Sequence, residues 1–233
     1  SLPAWEMLSS HEDFTGSRLV EASSGNTVLS LAAFAAQFGV ESVTAIASPD
    51  VSEGKLALLR LMGVNVSLVE GPICPNPNDP NGAIAVARNN GKKRGIINLD
   101  QYSNVANPGA HEKITGPQLL DQLGESLGLI CAGLGTTGTL LGTATYLRRH
   151  LPNVKVAAVV RTPNNSVPGV RTRNGLREVG FAWEDVITEP LVDVDEQSSY
   201  KTSIALVRMG LLVGPSSGFA YEGLMRHLKR MEK

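Results

Sequence analysis

Residues 127–152 read LGLICAGLGTTGTLLGTATYLRRHLP. LGLICA has the length and composition of a buried strand, and TLLGTATYLRRHL carries its apolar residues at helical spacing. The stretch beginning at Gly133 is therefore a strand-to-helix turn, with the helix expected to start near Thr137 or Gly138. Backbone amides of Gly135 to Thr139 then point outward from a helix start, where the first N–H groups lack internal partners and the dipole is positive. A phosphate suits such a turn, because its oxygens accept from amides and hydroxyls together while glycine admits close backbone approach. Thr136, Thr137 and Thr139 offer further hydroxyl donors. The other reading is a glycine-rich turn serving close helix-to-strand packing. A nucleotide fits less well: no Lys-Ser/Thr pair follows to hold a γ-phosphate and magnesium, and the glycine spacing is not that of a dinucleotide turn.

Outward from this turn the chain alternates. TGSRLVEA, ESVTAIAS, VNVSLVE and RGIINL read as strands, separated by VLSLAAFAAQFG, SEGKLALLRLMG and GAIAVARNN as helices. On the C-terminal side VKVAAVV reads as a strand, DEQSSYKTSIALVRMG as a helix capped by Asp195, GLLVG as a short strand and SSGFAYEGLMRHLKR as the closing helix. An alternation of about 25 residues per repeat is the pattern of right-handed crossovers building parallel sheets. GPICPNPNDPNG (residues 71–82) reads as a surface loop. DQYSNVANPGAHEKITG (100–116) and NNSVPGVRTRNGLREVG (164–180) read as long irregular connections, the first rich enough in turn formers to carry function. The expected organisation is two α/β lobes, residues 1–109 mainly in the first and 110–233 mainly in the second.

Composition narrows the partners. The chain has 233 residues, 42% hydrophobic, enough for one large core or two smaller ones, and a net charge of -1 that provides no field for nucleic acid or an anionic membrane. Small molecules or copies of itself remain. Cys74 and Cys131 form no CxxC pair, which fits a cytoplasmic compartment. His11, His111, His150 and His227 are too widely spaced to suggest a metal site. The N-terminus SLPAWEMLSS lacks a basic signal start, and Pro3 stands where a helix begins. The abrupt opening raises the expectation that a segment precedes Ser1.

Two further turns resemble the first. EASSGNT (21–27) joins a strand to a helix with Ser23, Ser24, Asn26 and Thr27 on one short loop; it either caps the helix or grips a carboxylate at the helix start. VGPSSGFAYEG (213–223) opens the last helix with Ser216 and Ser217. Three such turns at the ends of parallel strands suit one ligand crevice.

Taken together, EASSGNT, GLGTTGTLLG, GPSSG and QYSNVANPGAHEKITGP resemble the fold type II family of pyridoxal phosphate (PLP) enzymes, in the group of cysteine synthase (O-acetylserine sulfhydrylase) and cystathionine β-synthase. The resemblance implies a two-lobed, tryptophan synthase β-like α/β fold with parallel twisted sheets flanked by helices. It implies pyridoxal 5'-phosphate as cofactor, a homodimer, and PLP-dependent β-replacement, with L-cysteine formed from O-acetyl-L-serine and sulfide as the first expectation. A β-replacement with another nucleophile or an acidic amino acid is the alternative, in the manner of cystathionine β-synthase or a diamino acid synthase. A non-catalytic ligand-binding homologue is the third. Arg171, Arg173 and Arg177 either accept an acidic substrate or face water.

By the same resemblance, Ser23, Ser24, Gly25 and Thr27 would hold the substrate's carboxylate, with Gln101 beside it next to Tyr102, where the family has phenylalanine. Asn26 would contact the cofactor's ring hydroxyl and Ser216 its pyridine nitrogen. The family's phosphate cup GTGGT maps onto Gly135, Thr136, Thr137, Gly138 and Thr139, so Thr137 replaces a glycine. The family's Schiff-base lysine would fall immediately upstream of Ser1, and the first lysine in this chain is Lys55. No residue here takes that catalytic role.

Overall fold

The computed structural model describes residues 1–11, 13–23, 25–71, 76, 78–177 and 179–232. Ser24 and Cys74 lie outside the described residues. The chain forms two compact units, Ser1–Ala110 and His111–Lys233.

In the first unit the elements run α1 (Leu2–Ser9), β1 (Arg18–Ala22), α2 (Asn26–Ala35), β2 (Ser42–Ala47), α3 (Glu53–Leu61), β3 (Asn65–Leu68), α4 (Ala83–Gly91), β4 (Ile96–Asn98) and α5 (Ala106–Ala110). The strands make one parallel sheet in the order β3-β2-β1-β4. Alternation along each strand sends residues to opposite faces. Leu19, Val43 and Ala45 pack with Met7, Leu8, Val28 and Leu31 from α1 and α2. Val20, Ala22 and Ile46 pack with Ala83, Ile84 and Ala87 of α4. Covering both faces is what a parallel sheet requires. The helix of VLSLAAFAAQFG ends where expected, with Gly39 in the left-handed conformation at φ 70.

The second unit contains α6 (Gly116–Leu123), β5 (Leu129–Gly133), α7 (Gly138–His150), β6 (Lys155–Arg161), α8 (Arg173–Leu176), β7 (Val192–Val194), α9 (Glu196–Arg208) and α10 (Pro215–Met231). Its parallel sheet has the order β5-β6-β7. Val156, Ala158 and Val160 pack against Leu140 and Ala144 of α7, while Val159, Val192 and Val194 meet Phe219 of α10 on the other face. Asp195 caps α9 as its position suggests, its carboxylate accepting the Ser198 N–H at 2.8 Å.

Two elements differ from the sequence reading. The polar stretch 100–116 is not a long connection: α5, a π-helical turn (His111–Thr115) and α6 occupy most of it. Asn104 Oδ1 accepts the Ala106 N–H at 3.0 Å, starting α5, and Pro108 falls in a first turn where its missing N–H loses nothing. GLLVG forms no strand. Gly210, at φ 92, closes α9: Leu211 N–H reaches Leu206 C=O and Gly210 N–H reaches Val207 C=O. The chain then turns directly into α10, whose Gly218 lies so close to α9 that an added Cβ would stand 2.3 Å from the Ser199 carbonyl oxygen. The third turn therefore follows a helix, and the third strand of the sheet is the short VDV of β7. Among the described residues, no helix is long and apolar enough to cross a membrane.

Candidate active site

In the first unit, strand order creates a switch point. The chain moves from β1 outward through β2 and β3, then returns to add β4 on the other side of β1. Ligands of open parallel sheets bind beyond the carboxyl ends of the strands at such a point. Here those ends are Ala22 and Asn98, followed by the SSGNT turn and by Gln101.

Gln101 is held from several sides. Its Nε2 donates to the Ala22 carbonyl at 3.0 Å, its Oε1 accepts from the Thr27 hydroxyl at 2.7 Å, and its backbone carbonyl accepts from Asn107 Nδ2 at 2.7 Å. Because a carbonyl only accepts, the Ala22 contact fixes which end of the amide is nitrogen, and Thr27 must then be the donor to the other end. The preceding Asp100 sits at φ 49, a conformation aspartate tolerates, and is tied to Arg88 Nε at 2.7 Å. A carboxylate reaching this point finds the second Gln101 amide proton as donor. Thr27 orients that group.

The loop before α2 is not a simple cap. The cap position belongs to Gly25, no side chain caps the helix there, and Ser23 Oγ accepts the Gly25 N–H at 3.2 Å. Asn26 is exposed at the first helical position, beside a groove lined by Ser1, Leu29, Ser30 and Phe34. Beneath the loop lies Glu21, 1% exposed, whose Oε1 accepts the Ala22 N–H at 3.1 Å while Oε2 has no partner. Burial, and then the Asp100 charge, push its carboxyl up to about 8. The sequence reading passed over Glu21, although a lone acid within the otherwise apolar LVEA is the signal that marks it.

In the second unit, β5 ends at Gly133, and the Arg171 N–H donates to the Leu134 carbonyl at 2.8 Å, laying 169–171 alongside the turn. Glycine is required at 135, since a Cβ there would stand 2.2 Å from the Gly169 carbonyl oxygen. Thr137 is the cap residue of α7, with φ 70 and ψ -13. The first α-helical bond runs from the Leu141 N–H to the Thr137 carbonyl, so the amides of Gly138, Thr139 and Leu140 precede the ladder. Thr137 is buried and its hydroxyl lacks a partner. Thr136 is half-buried at the crest of the turn.

Behind the cup sits His111, which the sequence reading used only to exclude metal. Its Nε2 lies 3.1 Å from Thr139 Oγ1 and its Nδ1 2.9 Å from Thr115 Oγ1. Burial holds the imidazole below its ordinary pKa, so it is neutral, with one donor and one acceptor nitrogen. If Nε2 carries the proton, the Thr139 hydroxyl accepts from it and its own proton is left for a ligand. The π-helical turn that places His111 could not be read from the residues.

Ser216 is exposed in the first turn of α10, which starts from Gly214 and Pro215 without a side-chain cap. One turn further, the Phe219 ring lies against Gly133, where a Cβ would meet it at 2.9 Å. The start of α10 thus lies at the carboxyl end of β5, within the same unit as the cup. The arginines divide: Arg173 chelates Asp193 at 2.5 Å, Arg171 is buried with its guanidinium 3.4 Å from the Gly175 carbonyl, and Arg177 is exposed.

Amides ahead of a helix ladder, an obligate glycine and an unpaired hydroxyl form a cradle with the donor set of a phosphate site. The sequence profile described as "Pyridoxal-phosphate dependent enzyme" matches residues 2–233. The chain belongs to this family. The PLP enzyme is 30% identical to a cysteine synthase of Staphylococcus aureus (strain Mu50 / ATCC 700699) over 227 residues, covering 94% of this chain and 71% of that one. It is 29% identical to cysteine synthase B of Escherichia coli (strain K12), covering 92% and 69%. A cystathionine beta-synthase of Saccharomyces cerevisiae (strain ATCC 204508 / S288c) matches at 28% identity, covering 91% and 45%. A hydrogen sulfide-producing enzyme from Fusobacterium nucleatum superposes with a TM-score of 0.81 at 20% identity, covering 99% of this chain and 78% of that one. That likeness establishes the two-lobed α/β architecture.

Proposed function

We propose that this PLP enzyme catalyses β-replacement on an amino acid carrying a leaving group at Cβ, and that it makes L-cysteine from O-acetyl-L-serine and sulfide. The observation that carries this reading is the Gln101 amide, fixed by Ala22 and Thr27 at the sheet's switch point beside the SSGNT turn. It offers a directed donor to an α-carboxylate, with the helix-start amides of α2 adding their partial positive charge. The names of the bacterial relatives support the choice of nucleophile.

When bound, PLP supplies the electron sink that makes the substrate's α-proton removable. In this reading Gln101, Ser23, Ser24 and Gly25 hold the carboxylate, with Thr27 orienting Gln101. Gly135, Thr136, Gly138 and Thr139 hold the cofactor's phosphate, and Asn26 and Ser216 contact its ring. In this reading the family's Schiff-base lysine is the base. Of the three arginines that an acidic substrate could use, Arg173 is paired with Asp193, while Arg177 is exposed. The protein acts as a homodimer in the cytoplasm.

The test is an assay of the full-length protein with PLP, O-acetyl-L-serine and sulfide, reading L-cysteine formed. Cysteine formation above that with homocysteine or an acidic amino-acid partner supports the assignment. Turnover only with another nucleophile moves the protein to a different β-replacement, and binding of PLP without turnover of any β-substituted amino acid overturns the catalytic reading. Light scattering of the same sample reads the oligomeric state.

A further inference from the structure

Glu21 is a buried acid without a counter-ion. It is 1% exposed, and its Oε2 has no hydrogen-bond partner. Among the described residues, the elements around it supply no free cation. α2, α5, β2 and β4 carry no ionisable side chain, α1 carries only Glu6, and Arg18 is exposed at the opposite end of β1. Arg88 of α4 is bound to Asp100 at 2.7 Å, and Asp100 itself adds a like charge.

The carboxyl lies directly under the residues that would receive a substrate. Side chains alternate along β1, so Glu21 shares with Leu19 the face that α2 covers. The next residue, Ala22, holds the Gln101 amide through its carbonyl at 3.0 Å. Glu21 Oε1 accepts the Ala22 N–H at 3.1 Å, and the backbone amides of Gln101 and Asp100 turn toward the carboxyl as well. Beyond Ala22 come the loop and the uncapped start of α2, whose partial positive charge favours an anion. An ionised Glu21 competes for that same field, and in a low-dielectric interior it repels a neighbouring carboxylate strongly. Burial, and then the Asp100 charge, hold the group neutral at pH 7, with its pKa raised to about 8.

We infer that Glu21 is a positioning residue for substrate binding: its neutral carboxyl supports the Asp100–Gln101 backbone, and its ionised form opposes the substrate's α-carboxylate at the loop before α2. The inference rests on the proposed placement of that carboxylate at Gln101. The sign follows from competition between two anions. The substrate binds the protonated protein, so affinity is full below about pH 8 and falls as pH rises through it, and binding takes up a proton. One pH unit above the titration only about a tenth of the protein is competent, which is about a tenfold loss of apparent affinity.

Dissociation constants of L-serine, measured by calorimetry on the full-length holoenzyme at about pH 7 and about pH 9, test the inference. The parent is expected to weaken about tenfold more than Glu21→Gln between the two conditions, because titrations of the ligand's amino group and of the cofactor are common to both. At the lower pH, Glu21→Gln has the same shape and no charge, and should bind within about threefold of the parent. Glu21→Leu is neutral but offers the amides no acceptor, and should bind about tenfold more weakly at both pH values. Parent-like affinity in Glu21→Leu overturns the supporting role. An equal loss in the parent and Glu21→Gln overturns the charge effect; should that variant not fold, a parent with the same affinity at both pH values does so. A parent that binds neither L-serine nor O-acetyl-L-serine at the lower pH overturns the carboxylate site at Gln101, and the role of Glu21 with it.

Discussion

The Thr27 hydroxyl donates to the Gln101 side-chain carbonyl at 2.7 Å, across 74 positions of sequence. It ties the first turn of α2 to the segment after β4 and leaves one Gln101 amide proton directed by two contacts. Thr27→Val removes the donor without changing the shape. The expected result is a KM for the amino-acid substrate raised about tenfold, the worth of one oriented hydrogen bond, with Thr27→Ser restoring most of it. Gln101→Ala should raise KM at least as much, and the double variant should add little. Steady-state kinetics on the four proteins would show additive losses if the two residues acted independently.

Glu21 gives the first unit a defined pH response. Its carboxyl titrates at about 8 in the fold against an ordinary 4.5, because burial disfavours its charge. The unfolded chain therefore loses this proton first as pH rises, and the fold is progressively weakened from the ordinary value up to about 8. Glu21→Gln keeps an acceptor for the Ala22 N–H and removes the titration. Thermal melts should show Glu21→Gln gaining on the parent as pH rises from 4.5 to about 8, and an unchanged difference across that window contradicts the assignment.

His111 responds in the opposite direction. Burial lowers its pKa below the ordinary 6.5, so the imidazole stays neutral in the fold while the unfolded chain takes up a proton as pH falls. The neutral ring contributes stability above the ordinary value that is lost as pH falls through 6.5 toward the lowered one. His111→Gln should flatten this acid-side loss. It should also weaken PLP binding by about threefold to tenfold, since Thr139 loses the group that directs its hydroxyl. A dissociation constant equal to the parent's would leave His111 without a role toward the cup.

Gly135→Ala places a methyl 2.2 Å from the Gly169 carbonyl oxygen, so the backbone of the turn must shift. The expected cost is about 1–3 kcal/mol of stability, together with loss of most PLP affinity. Gly128→Ala, where an added Cβ meets no atom within 4 Å, should leave affinity unchanged. Chemical denaturation and cofactor titration on the two variants separate crowding at the cup from a general effect of alanine.

The alternation of apolar strands with amphipathic helices was legible because each element's burial period is written in its own residues, and α7 begins at Gly138 as the GLGTTG stretch suggests. GLLVG misled because a run of three apolar residues between glycines carries no period; whether it pairs depends on neighbours, and the Gly210 turn with close α9–α10 packing decided against a strand. The turn formers of DQYSNVANPGAHEKITG suggest a long irregular connection, but Pro and Gly at a helix's first turns are compatible with helix. Arg173 shows the limit for charges: the sequence displays a cation, and only the fold supplies Asp193 to neutralise it. The lone acid of LVEA marks Glu21 as unusual, but the shifts of Glu21 and His111 come from burial by residues distant in sequence, which only the fold supplies.

The most direct measurement is a crystal structure of the full-length protein grown with PLP. The account predicts the phosphate at the start of α7, with oxygens within about 3 Å of the helix-start amides and of the Thr139 hydroxyl. A cofactor phosphate bound elsewhere, with this turn closed on its own side chains, would contradict it.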